Sequence, residues 1–483
     1  MDGPSTDWSS QPAPGSASTE DQAQATGKGG DATPSHSSTG RVLSMHLNSI
    51  TLIAGKMATM AVGFLVWLIA ARLFAPAEVG LASGAVSAMM LCVQLALFGA
   101  GAAVITLFPQ YQHRPAELLD TAISLVAVAA LVAAGLFLAL ASGLFRELSV
   151  VAAIPSYTVA FLAMCTFGAL GVLFDQVGTV MRRGDQVLIR GALFGLVTLA
   201  VLAGLSSGVG VPDSLAILLA WVGGGIVSVG LGYHQLRRSL PSYRFRPRFR
   251  RRLAGQLVGI GLPNWALTLT ERAPGSILPI VVTELLSPEA NATWYAVWMM
   301  AWVVYVIPVQ VGLSLFAEAS HRPDELGIAV RRGLSLSLAV GAVGAVSAAI
   351  VGPSMLAFLG HSYADAGTTP LRILVVAVLP FAFIQAYFSV CRSRQRLREA
   401  IVTGIVSGLI GVGAAAVAGV TSGLQGMAVA WLAVQMITGA WAIFRIWSMS
   451  QRSWARGDQS AAHFSLGREA AGAGMTAKDS VVS

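Results

Sequence analysis

The sequence contains few charged residues, which make up 11% of its 483 positions. Hydrophobic residues make up 55%, and the mean hydropathy is +0.69. Soluble domains carry roughly a quarter charged residues, so this composition argues against a water-soluble enzyme of this length. What the chain has in place of charge is a series of long apolar stretches.

Cysteine and lysine are also scarce. The three cysteines lie within or at the end of apolar stretches and none has CxxC spacing, so buried core cysteines are expected. Lys56 is the one lysine between residues 28 and 478. The sequence has no Gly-xxxx-Gly-Lys-Ser/Thr phosphate loop, no Cys/His cluster and no nucleophile with a recognisable base. We therefore expect no cofactor, no metal site and no enzymatic activity.

Twelve apolar stretches are each long enough to cross a bilayer as a helix, which takes about 20 residues. They run over 47–71, 80–108, 117–145, 150–176, 187–206, 214–236, 254–283, 292–317, 329–359, 368–391, 399–420 and 424–448. This pattern predicts an all-α, polytopic membrane protein with about 12 transmembrane helices. Both ends of the chain, rich in small and polar residues, are predicted to be disordered tails.

Arginine is distributed unevenly among the gaps between these stretches. Alternate gaps hold 23 arginines, whereas the other gaps hold only Arg72, Arg146 and Arg372. The positive-inside rule places the arginine-rich gaps in the cytoplasm, and an even number of spans then returns both termini there. We expect a multi-pass protein of the bacterial cytoplasmic membrane. The arginine run at 244–252 could bind anionic lipid headgroups or RNA, but we interpret it as a plain topology anchor between the two halves. The expected partners include membrane lipids and no nucleic acid.

An internal repeat relates the two halves of the chain. The hexapeptide HRPAEL at 113–118 recurs as HRPDEL at 321–326, 208 positions later, and two other pairs of gaps match at offsets of 210 and 212. Because six spans separate equivalent positions, both copies face the same side, which predicts two parallel, pseudo-symmetric six-helix lobes (6+6). The predicted divisions are a tail at 1–40, an N-lobe at 41–240, a basic linker at 241–253, a C-lobe at 254–450 and a tail at 451–483.

Two turns carry a resemblance to a known family. Residues 63–81, GFLVWLIAARLFAPAEVGL, form an apolar run that ends in Ala-Arg-Leu and is followed by Pro, an acidic residue and Gly. The second-half counterpart runs from Leu285 through Pro288 and Glu289 to Tyr295. Both resemble the oligosaccharide (O-antigen and polysaccharide repeat-unit) flippase branch of the multidrug/oligosaccharidyl-lipid/polysaccharide exporter superfamily. The chain departs from that pattern at 97–99, where no acidic residue precedes the glycine.

The resemblance implies a transporter that flips a polyprenyl-pyrophosphate-linked oligosaccharide from the inner to the outer leaflet by alternating access. It would serve cell-surface polysaccharide biosynthesis, with the glycosyltransferases and polymerase of the same pathway as partners. Two alternatives remain open at this point. One is a cation-coupled exporter of drugs or other small molecules, for which Glu271 could serve in coupling. The other is a membrane-embedded polymerase or glycosyltransferase, although the short outward gaps argue against it.

Charged residues inside the apolar stretches are candidates for substrate contact, because burying a charge in a bilayer costs several kcal/mol. Lys56 lies in helix 1, and Glu271 and Arg272 lie in helix 7, which three prolines interrupt. We hypothesise that these three residues line a central cleft in which the two cations attract a pyrophosphate. The alternative is a purely structural pair between Glu271 and either cation.

A second candidate set lies where helix 4 ends on the cytoplasmic side. Asp175, Arg182 and Arg183 could capture a phosphorylated substrate there, although a solvated helix end is the simpler interpretation. A stripe along helix 8, formed by Trp294, Trp298 and Trp302 at i, i+4 spacing, could stack on sugar rings, but packing and an outer-interface aromatic belt explain such stripes more often.

Overall fold

A computed structural model describes residues 62–181, 183–206, 210–241, 243–247, 249–321 and 326–476. That part of the chain forms twelve helical spans and no strand. The spans are α1 (Val62–Leu73), α2 (Pro76–Leu97, continued by Ala100–Leu107 and the 3-10 turn Phe108–Tyr111), α3 (Pro115–Leu144), α4 (Pro155–Val180), α5 (Gly184–Leu205), α6 (Asp213–Ser239), α7 (Arg251–Leu285), α8 (Pro288–His321), α9 (Leu326–Leu359), α10 (His361–Val376, continued by Val378–Ser393), and α11 and α12, which share the stretch Leu397–Thr476. Of the candidate residues, Lys56 and Arg182 lie outside the described ranges.

Nine helical stretches of the described chain are long and apolar enough to cross a membrane. One of them, Leu397–Met449, contains both α11 and α12. α1 is apolar but is described only from Val62, and α7 falls short because Glu271, Arg272 and other polar residues interrupt it. The prediction of an all-α, polytopic membrane protein with twelve spans is confirmed.

α11 and α12 form a hairpin. The chain leaves helical geometry at Ser422 and at Gly423, whose φ of 63° suits glycine. Across the hairpin, a Cβ on Gly411 would lie 3.0 Å from the ring of Trp431. Beyond the membrane span the helix continues to Thr476, so the backbone of 451–476 is helical where the sequence predicts a disordered tail. That segment contains alanines and no proline, so extending an existing helix through it costs little.

Several spans are longer than the apolar stretches that predict them. α10 begins at His361 instead of 368, α2 at Pro76 instead of 80, and α7 at Arg251 instead of 254. Apolarity marks only the part of a helix that lipid surrounds, and polar or basic turns extend the helix beyond it. The predicted domain limits stay predictions.

The two lobes use the same helix pairings. In the first lobe α2 packs against α3 and α4, and α3 packs against α4; in the second, α8 packs against α9 and α10, and α9 against α10. Small residues fill much of these contacts, including Ala82, Ala85 and Ala88 on α2, which lets helices approach closely without a hydrophobic effect to drive them together. The parallel 6+6 arrangement is thereby confirmed.

The lobes meet along a seam in which α2 packs against α7 and α8. We call the side where even-numbered spans end the arginine-rich end, and the opposite side the arginine-poor end. At the arginine-poor end, a Cβ on Gly80 would lie 1.6 Å from the carbonyl oxygen of Pro288. Toward the arginine-rich end, a Cβ on Gly261 would lie 2.4 Å from the carbonyl oxygen of Gly99. Backbone therefore touches backbone at both ends of the seam.

α2 breaks where it meets α7. Phe98 and Gly99 both have positive φ, 41° and 72°, and the helix resumes at Ala100. The ring of Phe98 contacts that of Trp265 on α7 at 5.6 Å between centroids, and the Trp265 indole donates a hydrogen bond to the carbonyl of Gln94 at 2.6 Å. The break thus lies where α2 contacts Trp265 of α7.

The linker between the lobes is attached to α3. Tyr243 is buried and its hydroxyl donates a hydrogen bond of 2.8 Å to the carboxylate of Asp120, which is itself 4% exposed. The backbone N–H of Arg246 also donates to Asp120, at 3.3 Å. Arg250 forms an ion pair with Glu117 at 2.7 Å. The start of α7 is therefore held against the first lobe.

The contact between Gly99 and Gly261 predicts different effects for two neighbouring glycines of α7. Gly261→Ala should lower the free energy of unfolding by about 1–3 kcal/mol, because the methyl group overlaps backbone. Gly259→Ala is the matched control, since no atom lies within 4 Å of its Cβ position; it should be neutral or stabilising by up to about 1 kcal/mol. Melting temperatures in detergent measure both. Equal effects would contradict the contact.

The hydrogen bond between Tyr243 and Asp120 predicts a pH dependence. Burial, and then the adjacent carboxylate of Asp120, raises the pKa of the Tyr243 phenol. The protonated phenol therefore stabilises the fold fully below the unfolded pKa of about 10, and that contribution is lost as the pH rises further. Tyr243→Phe should melt at a lower temperature than the parent protein at about pH 8, and the gap should narrow toward about pH 11. A constant gap across that range would refute the assignment.

Candidate functional site

Arg272 lies on the face of α7 that contacts α2. It follows Gly261 by eleven residues and Trp265 by seven, and it precedes Thr283 by eleven. Two and three helical turns span about 7 and 11 residues, so all four residues share one face. Gly261 and Trp265 contact α2 on one side of Arg272, and Thr283 contacts Gly84 on the other. Arg272 therefore lies in the seam, between its two closed ends.

The Arg272 side chain is exposed although many protein atoms surround it. Within the described ranges it forms no ion pair and no hydrogen bond. On α2, Leu91 lies at the matching level, between Gly84 and Gln94, and is half-buried. Together these features describe a concave surface at mid-depth in the seam that carries an unpaired positive charge. The predicted role of Arg272 in substrate binding stays a hypothesis, as does that of Lys56.

Glu271 is adjacent in sequence but points elsewhere. Its carboxylate accepts hydrogen bonds from Nη2 of Arg392 on α10, at 3.1 and 3.3 Å, and both side chains are about a tenth exposed. The sequence predicted either a cleft residue or a pair with Arg272 or Lys56; the partner is instead Arg392, because α7 presents Glu271 to α10. This ion pair ties two helices of the second lobe together.

The predicted cytoplasmic entry residues also differ in their surroundings, one being paired and another accessible. Asp175 on α4 is ion-paired with Arg190 on α5. The Arg190 side chain is 4% exposed, and its guanidinium lies over the ring of Phe174 at 6.0 Å. Arg183 is exposed immediately before the first residue of α5. Asp175 thus has a partner within its own lobe, and Arg183 remains accessible at the arginine-rich end. Their predicted role in capturing substrate is untested.

The tryptophan stripe on α8 is mainly a packing feature. Trp294 is fully buried and stacks on Trp298 at 6.1 Å between ring centroids. Trp298 in turn meets Trp431 of α12 edge-on at 5.5 Å. A Cβ on Gly275, one turn beyond Arg272, would lie 3.0 Å from Nε1 of the half-buried Trp298. The stripe therefore supports the α7 backbone beside the seam.

No group of three or more His, Cys, Asp or Glu side chains could hold a metal ion within the ranges that the structure covers. The three cysteines are buried and unpaired, as expected for core residues. Sequence reasoning missed the partner of Glu271 and the contacts of Trp265, because neither residue has a motif that names a partner 121 or 171 positions away.

The buried pair between Glu271 and Arg392 predicts a large loss of stability when one partner is neutralised. Arg392→Gln should lower the free energy of unfolding by about 3–5 kcal/mol, because it leaves a buried carboxylate without its cation. Adding Glu271→Gln should recover part of that loss. Arg396→Gln is the control: its pair with Glu399 spans 3.7 Å and is about a third exposed, so it should cost at most about 1 kcal/mol. Melting temperatures of the three variants and the parent protein decide the matter, and a mild effect of Arg392→Gln would count against a structural pair.

Known proteins resemble this chain in fold but not in sequence. No protein-family model matches the sequence. No curated protein matches it either.

Solved structures, in contrast, match most of the chain. The inward-facing form of a multidrug-resistance MATE transporter of the MOP superfamily is 15% identical, with a TM-score of 0.60 over 83% of this chain and 99% of that one. The lipid II flippase MurJ, in an inward closed conformation, is 14% identical, with a TM-score of 0.64 over 82% and 87%. A MOP-superfamily transporter from Pyrococcus furiosus, described as having a binding pocket of reverse polarity, is 15% identical, with a TM-score of 0.53 over 83% and 95%. Over more than four-fifths of its length, the chain therefore has the fold of these multi-pass membrane transporters.

Proposed function

We propose that the protein is a flippase that moves a polyprenyl-pyrophosphate-linked oligosaccharide from the inner to the outer leaflet by alternating access. The observation that carries this proposal is the unpaired, accessible Arg272 at mid-depth in the seam between two lobes. A charge at that depth requires water or a counter-ion, and a pyrophosphate offers several acceptor oxygens to a guanidinium. Lys56, from the equivalent helix of the other lobe, would add a second positive charge.

The charges favour an anionic substrate over a cationic one. A drug exporter that carries cations would use an accessible carboxylate, and Glu271 is the acidic residue adjacent to Arg272 in sequence. Its negative charge is already neutralised by Arg392 at 3.1 Å inside the second lobe. The multidrug fold of several similar structures keeps the exporter of small molecules as the second candidate.

The proposal includes the orientation of the protein in the membrane and its partners. The arginine-rich end, with Arg183 exposed and Asp175 paired behind it, would face the cytoplasm and receive the lipid-linked substrate. Both termini would then be cytoplasmic, in the membrane of a bacterium. Glycosyltransferases would supply the substrate, and a polymerase on the outer side would consume it.

Transport by purified protein in vesicles tests the role of Arg272. The probe is a short-chain polyprenyl pyrophosphate that carries a fluorescent disaccharide, and the measurement is its exposure to an impermeant quencher over time. Arg272→Gln should slow transport at least about tenfold, because a hydrogen bond to a charged group contributes about 1.5–3 kcal/mol. Arg272→Lys should keep part of the rate, since lysine keeps the charge but cannot form the bidentate hydrogen bonds of a guanidinium.

Arg332→Gln is the control for that experiment, because Arg332 is also an exposed arginine but lies on α9 in the second lobe, away from the α2–α7 seam. It should transport normally. Normal transport by Arg272→Gln at equal protein levels would reject the proposed site. Export of lipophilic cations without movement of the anionic probe would favour the second candidate, and elongation of glycan in detergent would favour an enzyme.

A further inference from the structure

Two charged side chains connect the lobes at the arginine-poor end. Arg72, near the end of α1 in the first lobe, donates through Nε to the carbonyl oxygen of Phe358 at 2.6 Å. Its guanidinium also lies 4.8 Å above the Phe358 ring. Phe358 is the penultimate residue of α9, so its carbonyl is one of those that have no partner within the helix. A cation at this end of a helix is favourably placed.

Glu284 makes the reciprocal connection from the second lobe. Its carboxylate, near the end of α7, accepts hydrogen bonds from the backbone N–H groups of Arg146 at 2.6 Å, Glu147 at 3.1 Å and Leu148 at 2.8 Å. These residues belong to the turn between α3 and α4 of the first lobe. One carboxylate thus satisfies three successive backbone donors across the seam.

The internal repeat relates these two contacts. Arg72 and Glu284 are 212 positions apart, the same offset that relates the loops following α1 and α7. Their partners lie in corresponding places, because Phe358 is at the end of α9 and residues 146–148 directly follow the end of α3, the equivalent helix of the first lobe. The same position in each lobe therefore contacts the end of the equivalent helix in the other lobe, with opposite charges that bind opposite backbone groups.

A third polar contact joins the lobes at the arginine-poor end. The Asn291 amide of α8 donates to the carbonyl of Gly80 at 2.9 Å and to the hydroxyl of Ser83 at 3.0 Å, both on α2. Every one of these bonds joins the two lobes.

We propose that Arg72 with Phe358, and Glu284 with residues 146–148, form a two-part outer latch that closes the seam at the arginine-poor end. Each half is a side chain that binds backbone groups, and since Arg72 is exposed and Glu284 half-buried, water can replace both when the seam opens. The role of the latch in a transport cycle rests on the proposed function. Its effect on the seam does not depend on which substrate is carried.

Labelling of a cysteine in the seam tests the latch in intact cells. Leu91→Cys is introduced into the full chain, with the three native cysteines replaced by alanine, and is exposed to a membrane-impermeant maleimide from outside. The parent should label slowly. Arg72→Gln or Glu284→Gln should each raise the labelling rate by up to about tenfold, the shift expected for losing one charged hydrogen-bonding group, and the pair together should raise it further.

Two further variants distinguish the latch from a general loosening of the fold and from a direct ion pair. Arg372→Gln removes an arginine that also bonds a helix carbonyl, that of Ala349 at 3.5 Å, but within one lobe; it should leave labelling unchanged. The charge exchange Arg72→Glu with Glu284→Arg should label as fast as the double neutral variant. If Arg72 and Glu284 acted as an ion pair with each other, the exchange would restore slow labelling, and the latch would be wrong.

A reporter of orientation and a separate transport measurement keep the two proposals distinguishable. Ser362→Cys, exposed at the start of α10, should label in every background, which establishes that the arginine-poor end faces outward. Labelling of Leu91→Cys at the parent rate in both single latch variants, at equal protein levels, would overturn the latch. Slow transport by Arg272→Gln would then still support the proposed function. Faster labelling in protein that does not move the anionic probe would retain the latch and reject the proposed function.

Discussion

The backbone contact between α2 and α7 is the constraint on which the rest of the seam depends. Gly99 and Gly261 allow two antiparallel helices to touch near one end, and the Gly80 and Gly84 contacts bring the lobes together near the other. A side chain on the α7 face between these contacts must then occupy the space that they enclose. Arg272 is that side chain, which is why a charge that lipid would reject can persist at mid-depth.

The two lobes share a fold but neutralise their acidic residues differently. Asp175 is paired between α4 and α5 in the first lobe, whereas Glu271 is paired between α7 and α10 in the second. Both pairs lie within a lobe, so the seam keeps the positive charge of Arg272 and loses the negative charge beside it. The polarity of the seam therefore follows from which helix each carboxylate faces, not from the number of charges in the sequence.

The sequence predicted the number of spans and the two lobes because bilayer thickness and an internal repeat both leave regular marks on it. It also made Arg272 a candidate, since a charge within an apolar stretch is conspicuous, and its role stays a prediction. The partner of Glu271 could not be predicted, because the rotation of α7 relative to α10 is set by packing 121 residues away. Arg72 and Glu284 were within reach: the offset of 212 that relates the neighbouring loops also relates these two residues.

The placement of the ion pairs determines how the seam can open. A buried pair costs about 3–5 kcal/mol to break, and within the described residues the ion pairs of the three most buried paired arginines, Arg190, Arg392 and Arg445, each lie inside one lobe. The contacts that cross the seam are mostly of other kinds: backbone against backbone, as at Gly99 with Gly261, which leaves no charge unpaired on separation, the buried amide of Asn291, and charged side chains bonded to backbone at the arginine-poor end. The ion pair between Arg250 and Glu117, which joins the start of α7 to the first lobe, is partly exposed to water. A molecule built in this way can separate its lobes at either end while each lobe keeps its strongest electrostatic contacts, so the lobes can move as rigid bodies.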